Sequence, residues 1–114
     1  MRSVETLAIY CEIAAKSAES RAITELLGRV PLSSTKGMMG HSLGAAGAIE
    51  AVFTILALRN GFLPANINFR VSDVGLDLDI VANKVRPAIP AAALSNSFGF
   101  GGTNASIVIQ TLAA

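Results

Sequence analysis

The sequence has few charged residues, few aromatic residues and one cysteine in 114 positions. Charged residues make up 15% of it and the formal net charge is +1, whereas a typical soluble domain has roughly 25% charged residues. This composition excludes the basic stripe that nucleic-acid binding requires, so we expect no nucleic-acid partner. Because Cys11 has no second cysteine to pair with, a disulfide framework is excluded and a reducing, cytoplasmic compartment is favoured.

The sequence also predicts neither a membrane span nor a calcium-binding loop. The longest apolar stretch, residues 43–58, is shorter than the roughly 20 residues that cross a bilayer, and it contains Glu50. We therefore expect a buried helix there and no membrane span. Glu5 and Glu12 interrupt the apolar core that a secretory signal needs. The acidic residues around Asp77 lack the glycine and glutamate positions of a calcium loop, so no metal is expected.

Hydrophobic side chains are abundant and make up 52% of the sequence. Its length permits one domain, and a domain this small has a large surface to cover. We therefore expect some apolar faces to be buried against another surface, in a homo- or hetero-oligomer.

The hydrophobic periodicity predicts both helices and strands. The expected elements are a helix over residues 4–27 that Gly28 ends, a strand over 30–34, a helix that Ser42 caps and Gly61 ends, and strands over 76–80, 91–94 and 105–109. Cys11 falls on the apolar stripe of the first helix, and Tyr10 and Glu12 beside it offer neither a base nor a positive field. We therefore interpret Cys11 as a buried small hydrophobe and not as a nucleophile.

Residues 36–47 carry the clearest indication of function. They contain Lys36 and, five positions later, His41, the single histidine. His41 lies at the start of the apolar helix, where the positive end of the helix dipole favours a neutral ring that can donate one hydrogen bond to a developing negative charge. The alternative is that His41 only caps the helix or is satisfied in a core. The small residues from Gly44 to Gly47 predict that another backbone approaches closely here.

A second glycine-rich element, residues 96–104, lies between the last two predicted strands. Gly99, Gly101 and Gly102 permit φ > 0 and let backbone N–H groups face a ligand. The alternative is a tight hairpin whose two phenylalanines simply pack. The element matches neither a dinucleotide fingerprint nor a phosphate loop.

Taken in order, five segments of the chain resemble the C-terminal part of β-ketoacyl synthases, the condensing enzymes of fatty-acid and polyketide assembly. They are residues 33–36, 40–41, 44–47, 64–68 and 96–104, and the resemblance extends over about residues 19–110. It implies an α/β fold, namely the C-terminal half of a thiolase-like fold with a mixed sheet, a buried central helix and covering helices. It also implies a division into a divergent N-terminal helix, residues 1–18, and a synthase C-terminal domain, residues 19–114.

The resemblance also assigns site residues. Lys36 and His41 match the family's catalytic lysine and second histidine, and Glu19 matches an acidic residue that supports them in a network with the lysine. The family's nucleophilic cysteine belongs to an N-terminal half outside these 114 residues, and Ala8 stands where its first histidine is expected. No cofactor is implied. The residues that match the oxyanion and gating loop are Phe98, Gly99, Phe100, Gly101, Gly102, Thr103 and Asn104.

The implied reaction is an acyl transfer, the decarboxylative condensation of a malonyl thioester with an acyl thioester. The implied partners are acyl carrier protein or acyl-CoA thioesters, together with the N-terminal synthase half or a partner subunit. The chain alone is expected to be inactive. A second hypothesis is a non-catalytic fragment or partner subunit that keeps the fold. Whether fatty acids or polyketides are made stays open.

Overall fold

The computed structural model describes residues 6–10, 16–70 and 77–112. Its strands are β1 Thr6–Tyr10, β2 Pro31–Ser33, β3 Phe62–Leu63, β4 Asp79–Ile80, β5 Arg86–Pro87, β6 Ala92–Phe98 and β7 Asn104–Gln110. Its helices are α1 Lys16–Leu27, the single turn α2 Lys36–Met39, and α3 Ala46–Asn60, which a 3-10 turn at Leu43–Ala45 precedes. The mixture of helices with mainly parallel strands confirms the α/β class.

Five strands form one mixed sheet in the order β4-β2-β1-β6-β7. The first four are parallel, and β7 runs antiparallel to β6 at the edge. From β1 the chain continues to β2 and β4 on one side, whereas β6 lies on the other side. In open α/β sheets, ligands bind outside the carboxyl ends of the strands at such a reversal of order. The topology therefore predicts a site near the carboxyl ends of β1, β2 and β6.

The sheet is covered by one helix on each face. Side chains alternate between the faces of a strand, and Ala93 of β6 packs with α3 while Asn96 of β6 contacts α1, so the two helices lie on opposite faces. The smaller core, beside α1, buries Ile23 and Leu32. The larger core includes residues of α3, the two-stranded sheet β3-β5 and β6, and its buried members are Ala57, Leu58, Leu63, Val81 and Ala93.

The predicted helix over residues 4–27 is wrong in its first half. Residues Thr6–Tyr10 form β1, the central strand of the sheet, and the helix is described from Lys16. The predicted N-terminal helix of residues 1–18 is therefore also wrong for these five residues. A short apolar run fits a helix as well as a strand buried on both faces, and pairing of β1 with β6 along its whole length decides between them. Cys11 lies outside the described residues.

Several predicted boundaries are confirmed. Helix α1 ends before Gly28, whose N–H donates to the carbonyl of Thr24 at 3.0 Å. Strand β2 falls within residues 30–34, and α3 ends at Gly61 in the left-handed conformation, with φ 68°. The last two strands form the expected pair around a loop, although β6 extends to Phe98. Of the predicted strand over residues 76–80, Asp79–Ile80 forms β4.

The helix α3 is less buried in this chain than its composition predicts. One side packs on the sheet, whereas Val52, Ile55 and Leu56 on the other side are exposed. An exposed apolar stripe of this kind fits the prediction that part of the surface is covered by another surface. By length and composition alone, residues 43–60 also resemble a membrane-crossing helix.

Candidate active site

The segments that carry the predicted site residues meet at the carboxyl edge of the sheet. Lys36 follows β2 and Phe98 ends β6, and because both strands are parallel to β1 their carboxyl ends lie at the same edge. The first turn of α3 lies against this edge too, since a Cβ on Gly47 would be 3.1 Å from the Oγ of Ser97. The fold thus brings the Lys36–His41 segment and the loop after β6 to one end of the sheet.

Lys36 forms an ion pair with Glu50 across the gap between α2 and α3. The lysine Nζ pairs with the Oε1 of Glu50, and the two side chains are 13% and 5% exposed. The Oε2 of Glu50 is buried as well, with no hydrogen-bond partner among the described residues. An isolated buried carboxylate is strongly unfavourable, so the lysine compensates a charge that α3 could not otherwise hold. The burial of Lys36 is thus linked to the folding of α3.

His41 is exposed and holds the turn that precedes α3. The N–H of Leu43 donates to the Nδ1 of His41 at 2.9 Å. Nδ1 is therefore unprotonated, and in the neutral ring the hydrogen is on Nε2. The ring thus supports the helix entry and keeps a donor for a second group. Ser42 makes no side-chain capping hydrogen bond, so the prediction that it caps the helix is wrong.

The backbone beside His41 is strained. Leu43 has φ 51°, in the left-handed region that a bulky side chain rarely adopts. Strain of this kind persists where the surrounding structure enforces it, and the hydrogen bond to His41 is one such restraint.

Glu19 lies in the first turn of α1 and is buried, with 6% of its surface exposed. Its Oε1 accepts a hydrogen bond from the Nδ2 of Asn96 at 3.2 Å. The Oδ1 of Asn96 in turn accepts from the Oγ of Ser106 at 2.7 Å. This chain of contacts joins α1, β6 and β7 beside the carboxyl end of β6. The network of Glu19 with Lys36 stays a prediction.

The loop between β6 and β7 is a tight hairpin connection. The N–H of Gly99 donates to the carbonyl of Thr103 at 2.7 Å, and the N–H of Gly102 donates to that of Gly99 at 3.3 Å. Gly101 and Gly102 have φ of 98° and 85°, as predicted. Gly99 is not a positive-φ residue, and glycine is needed there for space, because a Cβ would be 3.1 Å from the Thr103 carbonyl.

The two phenylalanines of residues 96–104, Phe98 at the end of β6 and Phe100 in the loop, are not packed in a core. Phe100 is 97% exposed and Phe98 is 38% exposed. Among the described residues, the N–H of Phe100 donates no hydrogen bond. The loop therefore presents one aromatic side chain and one backbone donor at the end of β6.

Asn66 holds the segment that leads into Lys36. Its Oδ1 accepts from the N–H of Ser34 at 2.9 Å, and its Nδ2 donates to the carbonyls of Leu32 and Val81 at 3.3 and 3.4 Å. One side chain thus ties the end of β2 to the residue that follows β4. The position at which Lys36 begins its turn is set by these hydrogen bonds.

A shallow, open cavity lies between the Lys36 turn and α3. Both members of the ion pair line it, so a polar group that enters the cavity meets the lysine. Within residues 6–10, 16–70 and 77–112, no three His, Cys, Asp or Glu side chains are placed to hold a metal ion. The lining residues are Thr35, Lys36, Met39, Gly40, Ser42, Ala46, Ile49 and Glu50.

Sequence reasoning missed three residues of this region: Glu50, Asn66 and Asn96. Glu50 carried a usable signal, because a lone acid in an apolar helix requires a positive partner nearby. Asn66 and Asn96 lay inside the segments 64–68 and 96–104, but nothing in the spacing of those segments indicated what their side chains contact.

The fold and the site together define an α/β protein with an ion-paired lysine, a histidine N–H and a glycine-rich loop at the carboxyl edge of its sheet. These three groups form a set of hydrogen-bond donors that is suited to binding an oxyanion. A family model described as the β-ketoacyl synthase C-terminal domain matches residues 13–70. A protein of Schizosaccharomyces pombe named as a mitochondrial 3-oxoacyl-[acyl-carrier-protein] synthase is 52% identical over 82% of this chain and 24% of the relative. The 3-oxoacyl-[acyl-carrier-protein] synthase 2 of Coxiella burnetii is 47% identical over 85% of this chain and 24% of the relative.

A solved structure supports the same assignment. It contains a type II polyketide synthase acyl carrier protein in complex with its ketosynthase bound to the hexaketide, and it matches with a TM-score of 0.86 and 32% identity over 97% of this chain and 29% of that chain. The chain belongs to the β-ketoacyl synthase family, of which it represents the C-terminal part. It spans about a quarter of the length of the curated relatives it matches, 24% in each of the first two.

Proposed function

We propose that the chain supplies the Lys36 and His41 part of a site that condenses a malonyl thioester with an acyl thioester. The observation that carries the proposal is the hydrogen bond from the Leu43 N–H to the His41 Nδ1. It directs the hydrogen of the neutral ring to Nε2, away from the supporting turn, where it can reach a substrate oxygen.

In the proposed reaction the acyl group rests on a cysteine of the N-terminal half. The malonyl thioester releases carbon dioxide, and the electron pair of the broken carbon–carbon bond forms an enolate on the thioester oxygen. The Nε2–H of His41 donates to that oxygen, and Lys36, held by its ion pair with Glu50, orders the pocket electrostatically. The enolate carbon attacks the acyl carbonyl, and the cysteine sulfur leaves as thiolate.

A second oxyanion forms on the acyl carbonyl during this attack. We assign its stabilisation to the N–H of Phe100 together with the N–H of the cysteine. The exposed Phe100 side chain acts as a gate between the two binding steps. Glu19 supports the arrangement through its hydrogen bond with Asn96 at the end of β6.

The proposed substrate carrier is acyl carrier protein, with coenzyme A as the alternative. A carrier protein is favoured because a related ketosynthase was solved in complex with one. The exposed stripe of Val52, Ile55 and Leu56 is proposed to pack against the N-terminal half or a partner subunit. A cytoplasmic location completes the proposal, and the domain is proposed to include β1, because a boundary at residue 18 would divide α1 and detach the central strand of the sheet.

A chimeric enzyme tests this function in a complete setting. The C-terminal part of the Coxiella burnetii synthase is replaced by this chain, so that the cysteine-bearing half is native to the recipient. We expect the chimera to form ketoacyl product. His41→Ala is expected to slow malonyl decarboxylation by roughly a hundredfold or more, the scale for loss of one preorganised donor. Acyl transfer to the cysteine is expected to change less, because backbone amides hold that oxyanion.

Met38→Ala is the matched control, since Met38 is 52% exposed in the same turn as Lys36 and does not line the cavity. A folded chimera without activity would favour the non-catalytic alternative. If His41→Ala slows malonyl decarboxylation and acyl transfer equally, His41 has a structural role and not a catalytic one. The chain alone is expected to form no product, and product that Cys11→Ser abolishes would contradict this assignment.

A further inference from the structure

Helix α3 ends in an asparagine that is followed directly by glycine, Asn60 and Gly61, and this pair occurs once in the 114 residues. Asparagine is one of the chemically labile residues of proteins, because the backbone nitrogen of the next residue can attack its side-chain amide. A glycine in the second position has no Cβ to hinder this attack. Asn60 is exposed, so water reaches the pair.

In the folded helix, both reacting groups are held in other hydrogen bonds. The Nδ2 of Asn60 donates to the carbonyl of Leu56 at 2.8 Å, which keeps the side chain against the preceding turn. The N–H of Gly61 donates to the carbonyl of Ala57. Attack requires the Gly61 nitrogen to lose its proton and to approach the Cγ of Asn60, so both hydrogen bonds must open first. Helix ends are where such local opening costs least.

We propose that Asn60 is a site of spontaneous deamidation, which proceeds when the last turn of α3 opens. The Gly61 nitrogen bonds to the Cγ of Asn60 and gives up its proton, the bond from Cγ to Nδ2 breaks, and ammonia leaves with that proton. Water then opens the resulting cyclic imide at either of its carbonyls, which leaves aspartate or isoaspartate in place of the asparagine. The proposal is independent of the condensing reaction.

The two products differ in their effect on the fold. Aspartate removes the donor to the Leu56 carbonyl and places a negative charge at the C-terminus of α3, where the helix dipole disfavours it. Isoaspartate also adds a methylene group to the backbone between Leu58 and Leu63, which belong to the same buried core. It therefore disturbs the pairing of Phe62 with Pro87 in the two-stranded sheet. We expect isoaspartate to lower stability more than aspartate does.

Incubation of the 114-residue chain in a mildly alkaline buffer, followed by peptide mass spectrometry, tests the site directly. We expect aspartate and isoaspartate to accumulate at Asn60, about tenfold or more slowly in the folded chain than in urea, because the turn must open first. Asn96 also precedes a small residue, but it is buried and bonded to Glu19 and Ser106, so it is expected to stay intact in the folded chain. Equal rates at Asn60 in both states, or faster loss of Asn96 in the folded chain, would overturn the proposal.

Two glycine substitutions test whether opening of this turn sets the rate. Arg59→Gly, at an exposed residue in the last turn of α3, is expected to raise the rate of deamidation about fivefold, since glycine weakens a helix by an equilibrium factor of about that size. Arg21→Gly, at an exposed residue of α1, is the matched control and is expected to leave the rate unchanged. Equal acceleration by both variants would mean that the reaction requires unfolding of the whole chain and would contradict local opening.

Discussion

The Nζ of Lys36 and the Oε1 of Glu50 form a buried ion pair that joins the turn α2 to the helix α3. The two residues are 14 positions apart, and each belongs to a different element beside the same cavity. Removing one member of a buried pair leaves the other charge uncompensated. The pair therefore couples the position of the lysine to the stability of the helix that follows His41.

Glu50→Gln is expected to lower the free energy of unfolding by about 3 to 5 kcal/mol, because the Lys36 charge remains buried beside a neutral amide. The double variant Lys36→Met with Glu50→Leu is expected to recover most of this loss. Urea unfolding monitored by circular dichroism measures both. Lys84→Met, at an exposed lysine, serves as the control and is expected to change stability by less than about 0.5 kcal/mol. Strictly additive losses in the double variant would mean that the two side chains do not interact.

The lowered pKa of Asp79 predicts that the protein loses stability in acid. The hydrogen bonds from Arg86 lower its pKa from the ordinary value of 3.8, and the charges of Arg86 and Arg29 act in the same direction, while burial opposes them. Because the folded-state pKa lies below the unfolded one, the stabilisation is present above pH 3.8 and is lost as the pH falls through the lowered value. When the free energy of unfolding is measured against pH, the part of the decrease in acid that is due to Asp79 is expected to be absent from Asp79→Asn. Asp77→Asn, at an exposed pair with Arg29, is expected to keep it.

Asn66→Ala is expected to destabilise the chain by about 1 to 3 kcal/mol, since it leaves one partly buried backbone donor, the N–H of Ser34, unsatisfied. The carbonyls of Leu32 and Val81 each keep a backbone N–H partner. The amide of Ser34 loses its acceptor and is expected to exchange faster with solvent. Asn60→Ala is the control, because Asn60 donates to Leu56 at an exposed helix end. Its effect is expected to stay below about 0.5 kcal/mol. An unchanged exchange rate at Ser34 in Asn66→Ala would contradict the role assigned to this side chain.

The ring of His41 is expected to carry its hydrogen on Nε2 when neutral. The N–H of Leu43 occupies Nδ1 as a donor, and an unprotonated nitrogen is required to accept it. Long-range ¹H–¹⁵N correlation spectra distinguish the two tautomers without reference to activity. A neutral ring protonated on Nδ1 would show that the hydrogen bond is absent in solution and would remove the observation on which the proposed role of His41 depends.

The segments of the candidate site could be predicted from the sequence, but their partners could not. Lys36, His41 and the glycines of the last loop belong to continuous motifs, and the structure brings these motifs to one edge of the sheet. Glu50 was noticed only as an interruption of an apolar run, because a spacing of 14 residues says nothing about which lysine it meets. Glu19 and Asn96, 77 residues apart, illustrate the same limit.

Local chemistry by itself determined where several elements end. Gly28 and Gly61 stop their helices, and Gly101 and Gly102 form the last turn, because backbone conformations with φ > 0 are inexpensive only for glycine. Only the tertiary structure decided the conformation of residues 6–10, the partner of Lys36 and the opposite faces taken by α1 and α3. These depend on groups far apart in the chain, since a strand needs neighbours to satisfy its backbone and a buried charge needs its counter-charge wherever the fold places it.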